Sequence, residues 1–211
     1  MQKVYFISGL GADKRAFSLL DLSFCEPVFI DWINPLKNES LEKYALRLRQ
    51  QIKDEHPIIV GVSFGGMLAS EMAKADSRMK VIIIASNKTA DEFPSYLRIA
   101  KHIPVYKWLP GKLLKTSRLN WMLGAKGVEQ KKLLRAILAD SDPAFLKWAI
   151  GAIVNWKMKT IPSNVKHIHG TADKLLPFRY VKADFKIPGG THLMSINRPE
   201  EVTDLLKQLI Q

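Results

Sequence analysis

The run Ile58-Ile59-Val60-Gly61-Val62-Ser63-Phe64-Gly65-Gly66-Met67-Leu68-Ala69 leaves this chain few ways to fold. Ile58 to Val62 is apolar and rich in β-branched residues, too short for a helix and suited to a strand buried on both faces. From Met67 to Asp76 the residues Met67, Leu68, Ala69, Met72 and Ala73 recur at helical spacing. The turn between strand and helix must be sharp. Gly61 and Gly65 flank Ser63 because a side chain at either place would crowd a serine held in strained backbone geometry. The hydroxyl then stands at the carboxyl edge of a sheet, over the positive end of a helix, where backbone N–H groups stabilise an anion. With 12 Gly and 13 Ser in 211 residues, a Gly-x-Ser-x-Gly arises by chance in about 4% of such chains. The motif needs partners.

Other strands are expected over Lys3–Ser8, Pro27–Trp32, Lys80–Ala85, Asn164–His169 and, more weakly, Val181–Ile187. Between them Ser40 opens a helix of about four turns carrying Leu41, Tyr44, Ala45, Leu48 and Ile52 on one face. Pro199 to Ile210 closes the chain as an amphipathic helix. This alternation predicts an α/β fold, a doubly wound, mostly parallel sheet of about six strands. A length of 211 residues and 47% hydrophobic content suit one domain over residues 1–211.

Residues 88–160 break the alternation. They carry only helical periods, punctuated by Pro94, Pro104, Pro110 and Pro143, and read as a helical cap insertion over the strand ends. Asp142-Pro143 supplies an N-cap and a first-turn proline. The helix it starts is apolar nearly all round, which predicts cover on both sides.

The net charge of +12 is concentrated in that insertion, where fourteen Lys/Arg face five Asp/Glu. No nucleic-acid motif accompanies it, and nucleic acid is not an expected partner. Two readings remain: a solvated helical face, or a positive rim formed by Lys107, Lys112, Lys115, Arg118, Lys126, Lys131, Lys132 and Arg135 that attracts anionic substrates. The single Cys25 excludes an intramolecular disulfide and reads as a buried bystander, and no Cys/His spacing suggests a metal site. The N-terminal apolar run is too short for a signal peptide and no segment approaches a membrane span, so a soluble, cytoplasmic protein is expected.

A serine hydroxyl needs a base, and the base needs a group that fixes its tautomer. Two loops qualify. His169-Gly170-Thr171-Ala172-Asp173 follows the fifth strand and Pro188-Gly189-Gly190-Thr191-His192 the sixth. Parallel strands open both loops at the edge that carries Ser63. The order Ser63, Asp173, His192 is that of a strand–turn–helix serine nucleophile with its acid and base. Asp91, beyond the fourth strand, is the alternative acid, and Asp31 lies on the wrong side of the turn in sequence. His169 is expected to brace the acid loop, while His56, His102 and His167 read as surface or loop residues. For Asp173 taken alone an Asx turn is the plain explanation, and for His192 a packed loop histidine.

Taken together, Gly61-x-Ser63-x-Gly65-Gly66, His169-Gly170-x-x-Asp173 and Gly189-Gly190-Thr191-His192 resemble the nucleophile elbow, acid loop and histidine loop of the α/β-hydrolase fold superfamily. The similarity runs over nearly the whole chain. Ser8-Gly9-Leu10-Gly11 resembles the family's oxyanion loop, with Ser8 where His is frequent, and the sheet begins at what is usually the third strand. The resemblance implies a serine hydrolase acting on a small-molecule carboxylic ester or thioester. It gives oxyanion donors at the Leu10 and Phe64 N–H groups and needs no metal or organic cofactor. Phe145, Trp148 and Trp121 are candidates to line an acyl pocket, though core packing is their plainer employment. A ligand-binding protein without turnover, and an acyltransferase or lyase using the same three residues, are the alternatives on this scaffold.

Overall fold

The structure is a computed structural model that describes residues 1–95 and 121–211. Six strands form one sheet: β1 (Lys3–Ile7), β2 (Glu26–Phe29), β3 (Ile58–Val62), β4 (Lys80–Ile84), β5 (Val165–Gly170) and β6 (Phe185–Ile187), in the order β2-β1-β3-β4-β5-β6. Every adjacent pair is parallel. Such a sheet must be covered on both faces, and the strand residues divide by period two to supply that cover. Tyr5, Ile7, Ile59, Val81, Ile83 and Val165 face the layer that contains helices α1 (Leu41–Leu48) and α2 (Phe64–Ala75). Val4, Phe6, Val60, Ile82, Ile84 and Ile168 face the other, with Phe17 and the inward residues Val202, Leu206 and Ile210.

The segment between β4 and β5 contains helices α3 (Gly127–Asp140) and α4 (Pro143–Val154), and no strand among its described residues. The Asp142 carboxylate accepts the Ala144 N–H at 2.8 Å, and Pro143 follows it into the first turn. One face of α4 is buried through Phe145, Leu146, Ala149 and Ala152, whereas Ile150 and Val154 are half-buried and Lys147 is exposed. Burial is therefore full on one side only. Lys107, Lys112, Lys115, Arg118 and His102 lie outside the described residues. After β6 come the short α5 (Met194–Asn197) and the closing α6 (Pro199–Ile210). Among the described residues no helix is long and apolar enough to cross a membrane.

Three elements are shorter than their sequence patterns suggest, and a side-chain hydrogen bond to the backbone lies beyond the end of each. β2 stops at Phe29, and the chain turns so that the Trp32 indole N–H donates to the Ala12 carbonyl at 2.6 Å. α1 ends at Leu48 with one further 3-10 turn, where the Arg49 guanidinium donates to the carbonyls of Ile52 and Asp54. β6 begins only at Phe185, and ahead of it the Lys182 N–H donates to the Glu92 carboxylate and not to a strand.

In the sheet order, β1 leads to β2 on one side while β3 leads to β4 on the other. The crevice at the carboxyl ends of β1 and β3 is thus the switch point where open α/β sheets bind their ligands. The approach of α2 to that crevice depends on Gly65, where a Cβ would collide with the carbonyl oxygens of Ile7 and Ser8. Gly65→Ala is expected to lower unfolding free energy by about 1–3 kcal/mol, as overpacking does. An unchanged midpoint in urea would mean that α2 can retreat from β1 at no cost.

Candidate active site

Ser63 occupies the single residue between β3 and α2, at φ 52° and ψ −117°. A non-glycine residue there stores about 1–3 kcal/mol of backbone strain, which its surroundings must impose. The Ser63 N–H donates to the Ile84 carbonyl at 2.9 Å, and the Ser63 carbonyl accepts the Ser86 hydroxyl at 2.6 Å and the Gly66 N–H at 2.9 Å. A Cβ on Gly61 would stand 2.5 Å from the Gly65 carbonyl oxygen. The backbone is pinned on every side, and the half-buried Oγ points outward to the sheet edge.

The other two loops reach that Oγ. His192 Nε2 lies 2.8 Å from Ser63 Oγ, and His192 Nδ1 lies 2.8 Å from Asp173 Oδ2. His192 and Asp173 are buried. Asp173 Oδ1 accepts the N–H groups of Leu175 and Leu176 at 2.9 and 2.8 Å. The Asx turn and the histidine contact are therefore both present, one on each oxygen. Burial raises the Asp173 carboxyl, but the charge and hydrogen bond of His192 and the Leu176 N–H together hold it below its ordinary value. Among the described residues, the N–H groups of Leu10 and Phe64 have no hydrogen-bond acceptor. A Cβ on Gly9 would lie 3.5 Å from Ser63 Cβ, so the Gly9-Leu10 peptide runs beside the hydroxyl.

Asp91 is exposed in a 3-10 turn and Asp31 is exposed, so neither shares the buried contact that Asp173 makes. His56 is exposed. His167, expected at the surface, is fully buried on β5, with its Nε2 2.9 Å from His169 Nδ1. Residues 165, 167 and 169 of one strand share a face, and that period-two pattern was the available signal. His169 Nε2 contacts the Leu176 carbonyl at 2.8 Å and stands 3.5 Å from Asp173 Oδ2.

The aromatic candidates divide. Phe145 packs against Phe64, Trp32 and Tyr44, with ring centroids 5.2 to 6.4 Å apart, and also borders a cleft of about 220 Å³ beside Gly11, Trp32 and Ser141. Trp148 packs against Tyr44 with tilted rings, centroids 4.4 Å apart, and its indole N–H donates to the Glu39 carbonyl. Trp148 is thus a packing residue, whereas Phe145 both packs and borders the cleft. Trp121 is 63% exposed, with the Lys174 ammonium 3.8 Å over its ring. Sequence reasoning missed the ties from the insertion: Ser141 Oγ donates to the Gly11 carbonyl at 2.6 Å, and Leu193 N–H to the Leu123 carbonyl at 3.3 Å. Among the described residues no group of acidic, His and Cys side chains could hold a metal.

A parallel sheet with a strained Gly-x-Ser-x-Gly turn at its switch point defines an α/β-hydrolase-fold protein. Residues 4–205 match the Alpha/beta hydrolase family, and the chain belongs to it. No curated protein matches the sequence. Among solved structures it is similar to an esterase from Exiguobacterium antarcticum, with TM-score 0.76 and 15% identity over 100% of this chain and 92% of that one. It is likewise similar to a thermophilic esterase from Thermogutta terrifontis, with TM-score 0.71 and 15% identity over 100% and 89% of the two chains. The bottromycin epimerase BotH also aligns, with TM-score 0.67 and 17% identity over 100% and 91%. At such identities the likeness is one of fold.

Burial lowers the proton affinity of both His167 and His169, the first most strongly, with Lys88 and the neighbouring imidazole adding to it for His167 and Asp173 opposing it for His169. The unfolded chain takes up these protons near pH 6.5 while the folded chain resists them. Their contribution to stability is therefore complete above about pH 6.5 and declines as pH falls toward the folded-state values. Urea unfolding between pH 7 and 5 should show that decline, and His167→Gln should flatten it.

Proposed function

We propose that the protein is a serine hydrolase that cleaves a carboxylic ester or thioester through an acyl-enzyme intermediate. The observation that carries this reading is the continuous contact from Ser63 Oγ through His192 to Asp173, 2.8 Å at each step, with the Leu10 and Phe64 N–H groups lacking an acceptor among the described residues. Ser63 Oγ attacks the acyl carbon as His192 Nε2 takes its proton. The Leu10 and Phe64 N–H groups receive the charge on the carbonyl oxygen, the step at which such donors contribute most. Asp173 holds the Nδ1–H tautomer and stabilises the imidazolium. His192 returns the proton to the departing alcohol or thiol, and water, deprotonated by the same imidazole, releases the acid. No cofactor is required.

Residues 88–160 serve as a cap in this reading. Their described part touches the Gly11 loop, Phe64 at the start of α2 and Leu193, and Phe145 and Trp121 are its candidates for acyl contact at the inner wall and the outer rim. Lys126, Lys131, Lys132 and Arg135 are exposed, and among the described residues none has a carboxylate within 4.0 Å. We take them as a rim that raises the local concentration of an anionic substrate.

Ser63→Ala is expected to abolish hydrolysis of a panel of acyl esters and thioesters with the fold intact, and Asp173→Asn to reduce kcat about 10⁴-fold. A fluorophosphonate should label Ser63 and no other serine. Absence of labelling would favour a binding protein, and labelling without turnover would favour acyl transfer or lyase chemistry.

The rim makes a separate forecast. Exposed charges are screened beyond roughly 10 Å at 0.1 M salt. Rising salt should lower kcat/KM for an anionic ester and leave a neutral ester of the same acyl length nearly unchanged. Parallel curves would leave the lysines as a solvated face.

A further inference from the structure

His167 and His169 are two buried imidazoles directly behind the carboxylate of the site, and the proposed reaction uses neither. Their protonation can be worked out from their partners. The Leu176 carbonyl can only accept, so His169 Nε2, 2.8 Å away, carries a hydrogen. A neutral His169 then has a bare Nδ1, and His167 Nε2, 2.9 Å from it, must be the donor. That leaves His167 Nδ1 as a lone pair, and it is the ring nitrogen with no partner. An unpaired acceptor is the less costly orphan, so the arrangement is self-consistent with both rings neutral.

Leu176 joins this pair to the site through both of its backbone groups. Its carbonyl takes the His169 Nε2–H, and its N–H donates to Asp173 Oδ1 at 2.8 Å. The remaining oxygen, Oδ2, faces His192 Nδ1 at 2.8 Å and His169 Nε2 at 3.5 Å. We propose that His167 and His169 are positioning residues for Asp173. His167 fixes His169 as the neutral Nε2–H tautomer, and His169 clamps Leu176 so that Oδ2 is presented, with its full charge, to His192.

The charged groups around the pair fit this role. Lys88, itself buried, is ion-paired to Asp184 at 2.6 Å, and Asp184 Oδ2 also accepts the His167 backbone N–H at 2.8 Å. The Glu92 carboxylate is taken up by the N–H groups of Lys88, Thr89 and Lys182. Asp173 and His192 are the titratable groups facing His169 from the site, and the Phe178 ring lies 6.2 Å from it. Burial, with Lys88 adding to it, disfavours a proton on His167, and His167 in turn blocks the nitrogen through which His169 would become cationic. A cationic His169 would share the Asp173 charge that His192 needs.

The kinetic part of the test rests on the hydrolase reading, and the spectroscopic part does not. With ¹⁵N-labelled histidine, ring chemical shifts should report both His167 and His169 as neutral Nε2–H tautomers from about pH 8 down to about pH 5. An Nδ1–H tautomer or a charged ring at either position overturns the proposal, whatever the enzyme hydrolyses. In ester hydrolysis His169→Phe should lower kcat on the order of 10²-fold, the cost of an ångström-scale misplacement, with KM little changed. His167→Leu should steepen the acid limb of kcat/KM from one proton toward two, because His169 is then free to charge. His167→Gln, which keeps an N–H donor at the same reach, should restore the one-proton limb. An unchanged limb in His167→Leu, with near-native kcat in a folded His169→Phe, overturns the positioning role. A wild-type protein that neither turns over esters nor takes a fluorophosphonate defeats the hydrolase reading alone, and the ring shifts still decide the tautomers.

Discussion

The structure depends on holding one serine at a positive φ. Ser63 cannot relax because each of its backbone groups is committed: its N–H to Ile84, its carbonyl to Ser86 and the first turn of α2. The strained turn lets α2 leave the sheet at once, so its N-terminus arrives beneath the hydroxyl and not several residues beyond it. Strain at such a position persists only when the surroundings over-determine it. Here the over-determination comes from two glycines that allow β3, α2 and the end of β1 to approach backbone to backbone.

That constraint propagates through the parallel sheet. Because all six strands run the same way, their loops share one edge, and loops more than a hundred residues apart meet without any long connection across the fold. The site lies where β1 and β3 diverge, with the Gly9–Gly11 loop on one side and the loops of β5 and β6 on the other. Packing on both faces fixes the strand register, and the register fixes how far each loop extends. The distances of 2.8 Å between Ser63, His192 and Asp173 follow from the sheet more than from the loops themselves.

Most of this frame was legible in the sequence. Ile58–Val62 and Pro199–Ile210 appear with the boundaries their residues suggest, because a short β-branched run and a proline-started amphipathic stretch each admit one reading. The three side chains that meet at the sheet edge, Ser63, Asp173 and His192, were legible as candidates as well, since each lies by a glycine-bearing turn just after a strand. What escaped was side-chain-to-backbone bonding between distant segments. Nothing local announces that the Lys182 backbone N–H will donate to the Glu92 carboxylate, 90 residues away in sequence, where β6 was expected to begin. His167 was misjudged for a related reason. Between Lys166 and Ile168 it reads as a surface or loop residue, and a second imidazole on the same face of β5 accompanies its burial.

The same cross-connections bear on how substrate is chosen. The insertion between β4 and β5 is fastened to the loops it overlies: Ser141 to the carbonyl of Gly11, the Leu123 carbonyl to Leu193, and Phe145 to the ring of Phe64. Arg15 reinforces the first of these, bridging Asp13 at 2.7 Å and Asp140 at 2.6 Å. Exposed ion pairs add little stability singly, but this one joins the end of α3 to the turn that follows Gly11. Residues adjacent to both proposed oxyanion donors and to His192 are thus held partly by the insertion. On the proposed hydrolase reading, a change in its packing that alters acyl contact also shifts the groups that would stabilise charge, which couples substrate choice to rate through hydrogen bonds that can be named one by one.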